Sequence, residues 1–337
     1  MMKFNIKYFK IGNLFFFASN LSEWNSYCRK NYNKLWLKNN PLNQEEQEAV
    51  EKLRDILKQK KYKLADPLLT VSSENEFREN ISKILSKNQT SDLTKSVDVL
   101  SKRFEKIWLR EEKNLKKIQK KLIKDLSISN ELIVLIKKLY KIKKLPKSVN
   151  IFLFTNPIKK RIISGGSGFG AKGIGVECSQ ITKDNNKNNQ LSRVIMHELI
   201  HAYFEKRIID KINKYISSEY FKTNYQKLIF ESKIYKQVKN IMGPIKELIL
   251  VSLLPEGYLA KKFFGLNIIS NLRERRRIRA KKLAKNYYDL MLFGVFKMRD
   301  IAKNYSDNQK SIDKNYIEKT IECWIKFENT DLKKLKI

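Results

Sequence analysis

Residues 193–204 read Arg-Val-Ile-Met-His-Glu-Leu-Ile-His-Ala-Tyr-Phe, and no other stretch constrains the chain as strongly. It holds His197 and His201, the only two histidines of the protein, with Glu198 between them in the spacing H-E-x-x-H. Apart from Glu198, the segment from Val194 to Tyr203 carries no acidic or basic side chain except the two imidazoles. It therefore predicts a helix able to pack against a core, running from about Leu191 to Lys206. On a helix, residues i and i+4 lie on one face, about 5–6 Å apart. Two imidazoles so placed can grip one metal ion, and zinc accepts neutral histidine nitrogen in four-coordinate tetrahedral sites. Glu198, adjacent to the first ligand, is suited to act as a base on water at the metal rather than as a third ligand.

A catalytic zinc takes three protein ligands and keeps one position open for water. No further histidine exists, so a site built from three imidazoles is excluded. Cys28, Cys178 and Cys323 are far apart and form no C-x-x-C pair. They read as free thiols in a reducing compartment rather than as ligands. A downstream carboxylate remains. Glu247 is the first choice, because positions 247, 250, 251 and 254 share one helical face and the other three are Leu250, Val251 and Leu254. A carboxylate turned toward a core must be paired or bind metal. Glu256, in Leu254-Pro-Glu-Gly-Tyr258, is the alternative, and Glu219 the third candidate.

The run Val194-x-x-His197-Glu198-Leu199-Ile200-His201-Ala202-Tyr203 resembles the metal-binding helix of the zincin metallopeptidases. The likeness is local, but its motif is specific. It implies a zinc-dependent peptide hydrolase of the glutamate-ligated, gluzincin-like kind, acting on a peptide or protein substrate. By position it implies His197 and His201 as ligands and Glu198 as catalytic base. Leu254 to Tyr258 resembles, more faintly, the Glu-Gly-aromatic ligand motif of some aminopeptidases. The separation from His201 to Glu247 is longer than in compact members of the class. In such chemistry the metal lowers the pKa of water toward about 7. Glu198 takes that proton and delivers it to the leaving amine. With no histidine left to stabilise the oxyanion, Tyr258, Tyr203 or an arginine are the candidates.

A length of 337 residues accommodates one large or two ordinary domains, and a hydrophobic content of 42% supports a sizeable core. The net charge of +35 opens a second reading, a basic nucleic-acid-binding protein in which H-E-x-x-H is structural or vestigial. Its strongest support is Arg273-Glu-Arg-Arg-Arg-Ile-Arg279, followed by Lys281 and Lys282. Most other basic residues are lysines in a chain rich in Asn and Ile, a bias that A/T-rich codons produce without selection for binding. No apolar run is long enough to span a membrane. Residues 1–19 faintly mimic a secretory leader, but Asn13 interrupts a very short apolar stretch, and a cytoplasmic protein is expected.

Residues 1–40 read as a short apolar segment and an aromatic-rich helix. Asn43 can cap a helix whose first turn holds Glu45 and Glu46. A long charged helix is expected from Ser91 to Leu126, with Val97, Leu100, Phe104, Ile107 and Trp108 as its buried stripe. Val149–Thr155 reads as a buried strand, Arg161–Ser164 and Gly173–Ser179 as further strands, with a glycine-rich loop between the last two. Helices are expected near 219–241, 244–254, 256–264, 271–304 and 311–327. The expected fold is α+β and mostly helical. A basic helical region over 1–147 precedes a domain over 148–337, which by resemblance is zincin-like, with a small sheet packed on the metal helix and Ile174–Ser179 as its substrate-holding edge.

Overall fold

The computed structural model describes residues 2–25, 28, 30–127, 130–155, 166–169, 172–178, 189–268 and 286–330. The elements are β1 (Lys3–Lys7), α1 (Lys10–Ser22), α2 (Lys30–Leu37), α3 (Gln44–Lys60), α4 (Tyr62–Leu69), α5 (Glu74–Ile84), α6 (Lys87–Ser127) and α7 (Asn130–Leu139). There follow β2 (Ser148–Phe154), β3 (Gly166–Gly168), β4 (Ile174–Glu177), α8 (Gln190–Tyr203) and α9 (Lys206–Ile216). After short helical segments between Glu219 and Val238 come α10 (Met242–Leu253), α11 (Tyr258–Phe264), α12 (Tyr287–Lys297), α13 (Arg299–Asp307) and α14 (Lys314–Asn329). The protein is thus α+β and mostly helical.

The chain divides into two compact units, but not by a single cut after residue 147. One unit comprises Lys3–Asp125 and Ser148–Asn186, and the other comprises Met1–Met2, Leu126–Lys147 and Lys187–Ile337. The expected domains 1–147 and 148–337 therefore exchange two pieces. Long-range pairing is the reason. The N-terminal strand β1 hydrogen-bonds in parallel with β2, in the register Lys3 opposite Ser148 to Lys7 opposite Phe152. That pairing places the sheet in one unit with the N-terminal helices, whereas α8 belongs to the other.

Within the sheet unit the strand order is β1-β2-β4-β3, with β1, β2 and β4 parallel and β3 antiparallel to β4. β2 is a near-continuous buried run, as expected of a parallel strand covered on both faces. The segment expected to form a free edge, Ile174–Ser179, instead supplies β4, which is paired on both sides. The edges among the described strands are β1 and β3. Arg161–Ser164, the other expected strand, lies outside the described residues. Gly173 has φ +133°, and a Cβ there would lie 2.2 Å from the Asn150 carbonyl oxygen, so the tight backbone entering β4 requires glycine.

Helix α1 carries the apolar residues near the N-terminus into this unit's core, with Phe15, Phe17, Ala18 and Leu21 buried. Asn13 is buried as well. Its amide nitrogen donates to the Leu153 carbonyl at 3.2 Å, and its oxygen accepts from the Thr155 N–H at 2.8 Å. The polar residue that interrupts the apolar run is thus the one that pins α1 to the end of β2. Phe152, Phe154 and Phe169 form an aromatic cluster against Phe9, Phe16 and Leu69. Asn43 and Glu46 form the capping box of α3, and α6 buries Val97, Leu100, Phe104 and Trp108 as its stripe predicts.

The helical unit is built around α10. From Pro244 to Leu253 every side chain is buried except Lys246 and Glu247. It packs on α9, α11, α12, α13 and α14. The helix expected over 219–241 starts at a Ser218 cap, passes through a π turn at Lys222–Gln226 and breaks at Ser232, whose hydroxyl caps the next helical segment. Arg273–Lys282, the basic cluster, lies outside the described residues. All three cysteines are buried free thiols. No described helix is long and apolar enough to cross a membrane.

Candidate metal centre

Helix α8 buries Leu191, Val194, Ile195, Met196, Leu199 and Ile200, which fixes its rotation in the helical unit. That rotation leaves His197, Glu198 and His201 half-buried. The helix ends at Tyr203, and Glu205 follows, its carbonyl accepting the first hydrogen bonds of α9 from Ile208 and Ile209. Positions 197, 201 and 205 share a face by their four-residue spacing.

His197, His201 and Glu247 come together, with ligand atoms all within 4.8 Å of one another. The two Nε2 atoms are 3.2 Å apart. Glu247 places Oε1 3.0 Å from His201 Nε2 and Oε2 3.9 Å from His197 Nε2. A tetrahedral zinc with bonds of about 2.0–2.1 Å separates its ligand atoms by about 3.3 Å, so these distances fit one ion. The histidine pairing follows from helix geometry alone. Glu247 arrives from α10, where it and Lys246 are the two positions between Pro244 and Leu253 that are not fully buried.

Both rings are oriented from behind. His197 Nδ1 lies 3.1 Å from the Leu254 carbonyl oxygen, and His201 Nδ1 lies 2.9 Å from Glu205 Oε1. Each acceptor calls for a proton on Nδ1, which leaves the Nε2 lone pairs facing each other and the Glu247 carboxylate. Three electron-rich atoms at this spacing require a shared cation. This is the arrangement in which a carboxylate or carbonyl fixes the tautomer of a metal-binding histidine. Without metal, a proton serves that need. Burial opposes charge on His201, but its hydrogen bonds to Glu205 and Glu247 outweigh this and raise its pKa well above the usual imidazole range. Burial drives the His197 pKa down, with the charge on His201 adding to it and Glu247 opposing it.

Glu198 is pushed up to about 7 by burial, opposed by His201 and helped by the charges of Glu247 and Glu205. Such a carboxylate is poised between acid and base near neutral pH. Glu256 is not part of the cluster, although it is buried. It sits in the turn after α10, where a Cβ at Gly257 would lie 2.0 Å from the Ser252 carbonyl oxygen, so the chain folds tightly back on the helix end. That turn serves the site through its backbone. The Leu254 carbonyl holds His197, and the Pro255 carbonyl accepts from Arg193 on α8. Glu219 is highly exposed and also stands outside the cluster.

Comparisons with protein-family models, curated proteins and solved structures returned no match.

Three residues of this neighbourhood escape a reading of the sequence. Glu205 and Lys246 form a 2.9 Å ion pair beside His201. Tyr140, buried in the same unit, has its pKa raised by burial and by the charges of Tyr316, Glu205 and Glu247. Only Glu205 carried a local signal, its four-residue spacing from His201. Of the candidate oxyanion donors, Tyr258 is engaged with Asp307 at 2.9 Å and Arg193 with the Pro255 carbonyl.

Proposed function

We propose that the protein is a zinc-dependent peptide hydrolase in which His197, His201 and Glu247 hold the metal and Glu198 is the general base. The observation that carries this reading is the convergence of two Nε2 atoms and one carboxylate at zinc-like spacing, with the half-buried Glu198 next to His197 in the chain. The resemblance of the α8 motif to the zincin metal helix supports it independently. Zinc bound there supplies a Lewis acid and acidifies water. Glu198 accepts the proton from the attacking water and returns it to the leaving amine. Leu254 and Glu205 keep the two Nε2 atoms turned inward throughout. The buried free thiols support a reducing, cytoplasmic setting.

The test is metal analysis of the purified protein together with digestion of a generic peptide mixture. Wild type should carry about one zinc per chain, and Glu198→Gln should keep it while hydrolysis falls about 10²–10⁴-fold. Wild type without stoichiometric metal, or Glu198→Gln with undiminished hydrolysis, would overturn the assignment.

A further inference from the structure

We propose that Glu205 is a positioning residue that ties the histidine helix to the helix of the third ligand, through His201 on one oxygen and Lys246 on the other. This deepens the metal-centre reading and rests on it. Oε1 of Glu205 lies 2.9 Å from His201 Nδ1, and Oε2 lies 2.9 Å from Lys246 Nζ. Both oxygens of one carboxylate are therefore used, each on a different element. Lys246 is the chain neighbour of Glu247, so the bridge ends one residue from the third ligand on α10.

The surroundings argue against an incidental surface pair. The Glu205 side chain is 13% exposed and that of Lys246 is 23% exposed. Exposed pairs elsewhere, such as Lys83 with Glu79 at 70% each, are wet and weakly held. Lys246 lies on a helix whose neighbouring positions, apart from Glu247, are buried. A lysine at such a position needs a carboxylate, and Glu205 supplies it. Glu205 also stands at the junction of α8 and α9, where its carbonyl starts the second helix. A shift of α10 relative to α8 would have to break the bridge before it could separate Glu247 from the imidazoles. Glu205 thus holds the His201 ring at Nδ1 and, through Lys246, the distance from the histidine pair to Glu247.

The experiment uses the full chain and zinc alone. Zinc affinity is measured by chelator competition for wild type, Glu205→Ala, Glu205→Gln and Lys246→Met. The metal-free proteins are labelled with 15N-histidine, and because the chain has only two histidines their ring nitrogens give a simple spectrum with His197 as internal control. Glu205→Ala should weaken zinc binding about 10–100-fold, the range for removing a partner behind a metal-binding histidine. It should also move the His201 signals and leave those of His197 near their wild-type positions. Glu205→Gln keeps an acceptor for Nδ1 and loses the ion pair, so it should fall between wild type and Glu205→Ala. Lys246→Met should weaken zinc while leaving the His201 ring signals near their wild-type positions, because the Glu205 contact with Nδ1 is kept. Zinc affinity of Glu205→Ala or Glu205→Gln within twofold of wild type, with unmoved His201 signals, refutes the bridge while the metal centre stands. Wild type that takes up no zinc refutes the centre itself, and the bridge with it.

Discussion

Glu46 in the sheet unit and Glu247 in the helical unit are both carboxylates drawn into the interior, and they are neutralised in opposite ways. Glu46 is satisfied by its own fold. Its backbone N–H donates to the Asn43 side chain at 2.8 Å, and its carboxylate accepts from the Asn43 backbone at 3.0 Å. Arg103 then grips both oxygens, at 2.7 and 2.6 Å. Among the described residues, Glu247 is paired with no arginine. Its partners are two imidazole nitrogens whose other ring atoms are already engaged, so its neutralisation depends on a proton or a metal ion. A carboxylate closed by a fixed cation holds structure, whereas one left facing lone pairs could, on the reading proposed above, receive a cation from solution.

The contrast can be broken most directly by removing each carboxylate. Glu247→Ala should abolish stoichiometric zinc after gel filtration, while Glu46→Ala leaves it unchanged and Glu256→Ala weakens it less than Glu247→Ala. A protein that loses more zinc through Glu256→Ala would move the third ligand to the turn after α10. The converse effect is on stability. Glu46→Ala removes a helix cap and an ion pair and should cost about 1–3 kcal/mol in denaturant unfolding of the sheet unit. An unchanged midpoint would remove the structural half of the comparison.

The smallest effect is that of pH. The side-chain hydrogen bonds from Arg103, opposed by burial and aided by the Asn43 backbone, hold the Glu46 carboxyl below its ordinary value. A carboxyl depressed in the folded state contributes stability that is complete above the unfolded pKa, about 4.3, and is lost as pH falls through the folded value. The stability difference between wild type and Glu46→Gln should therefore be full at pH 7 and close progressively below about pH 4. A difference that stays constant across that range would mean that Arg103 does not favour the ionised form.

How much of this was legible without coordinates differs element by element. The α3 capping box, the stripe of α6 and the pairing of His197 with His201 all lie within a few residues of sequence, and a helix turns such spacings directly into geometry. Glu247 was legible one step further, because its apolar neighbours at 250, 251 and 254 showed which way it faces. Strand β1 gave a weaker sign, a polar–apolar alternation only five residues long that does not say which strand it pairs with. Lys3-Phe-Asn-Ile-Lys7 becomes a strand only because β2, far along the chain, offers it hydrogen bonds. For the same reason the sheet was assigned to the segment that follows it rather than to the N-terminal helices, and β4 was taken for an edge when β3 covers it.

The sequence by itself determined that a helix would present two imidazoles and a carboxyl on adjacent positions, since 3.6 residues per turn leaves little freedom once the apolar side is buried. Tertiary packing decided which distant glutamate meets them, which strands share a sheet, and that Glu205 reaches Lys246. Those contacts join residues whose separation along the chain carries no periodic signal, so they exist only when the whole unit has folded around them.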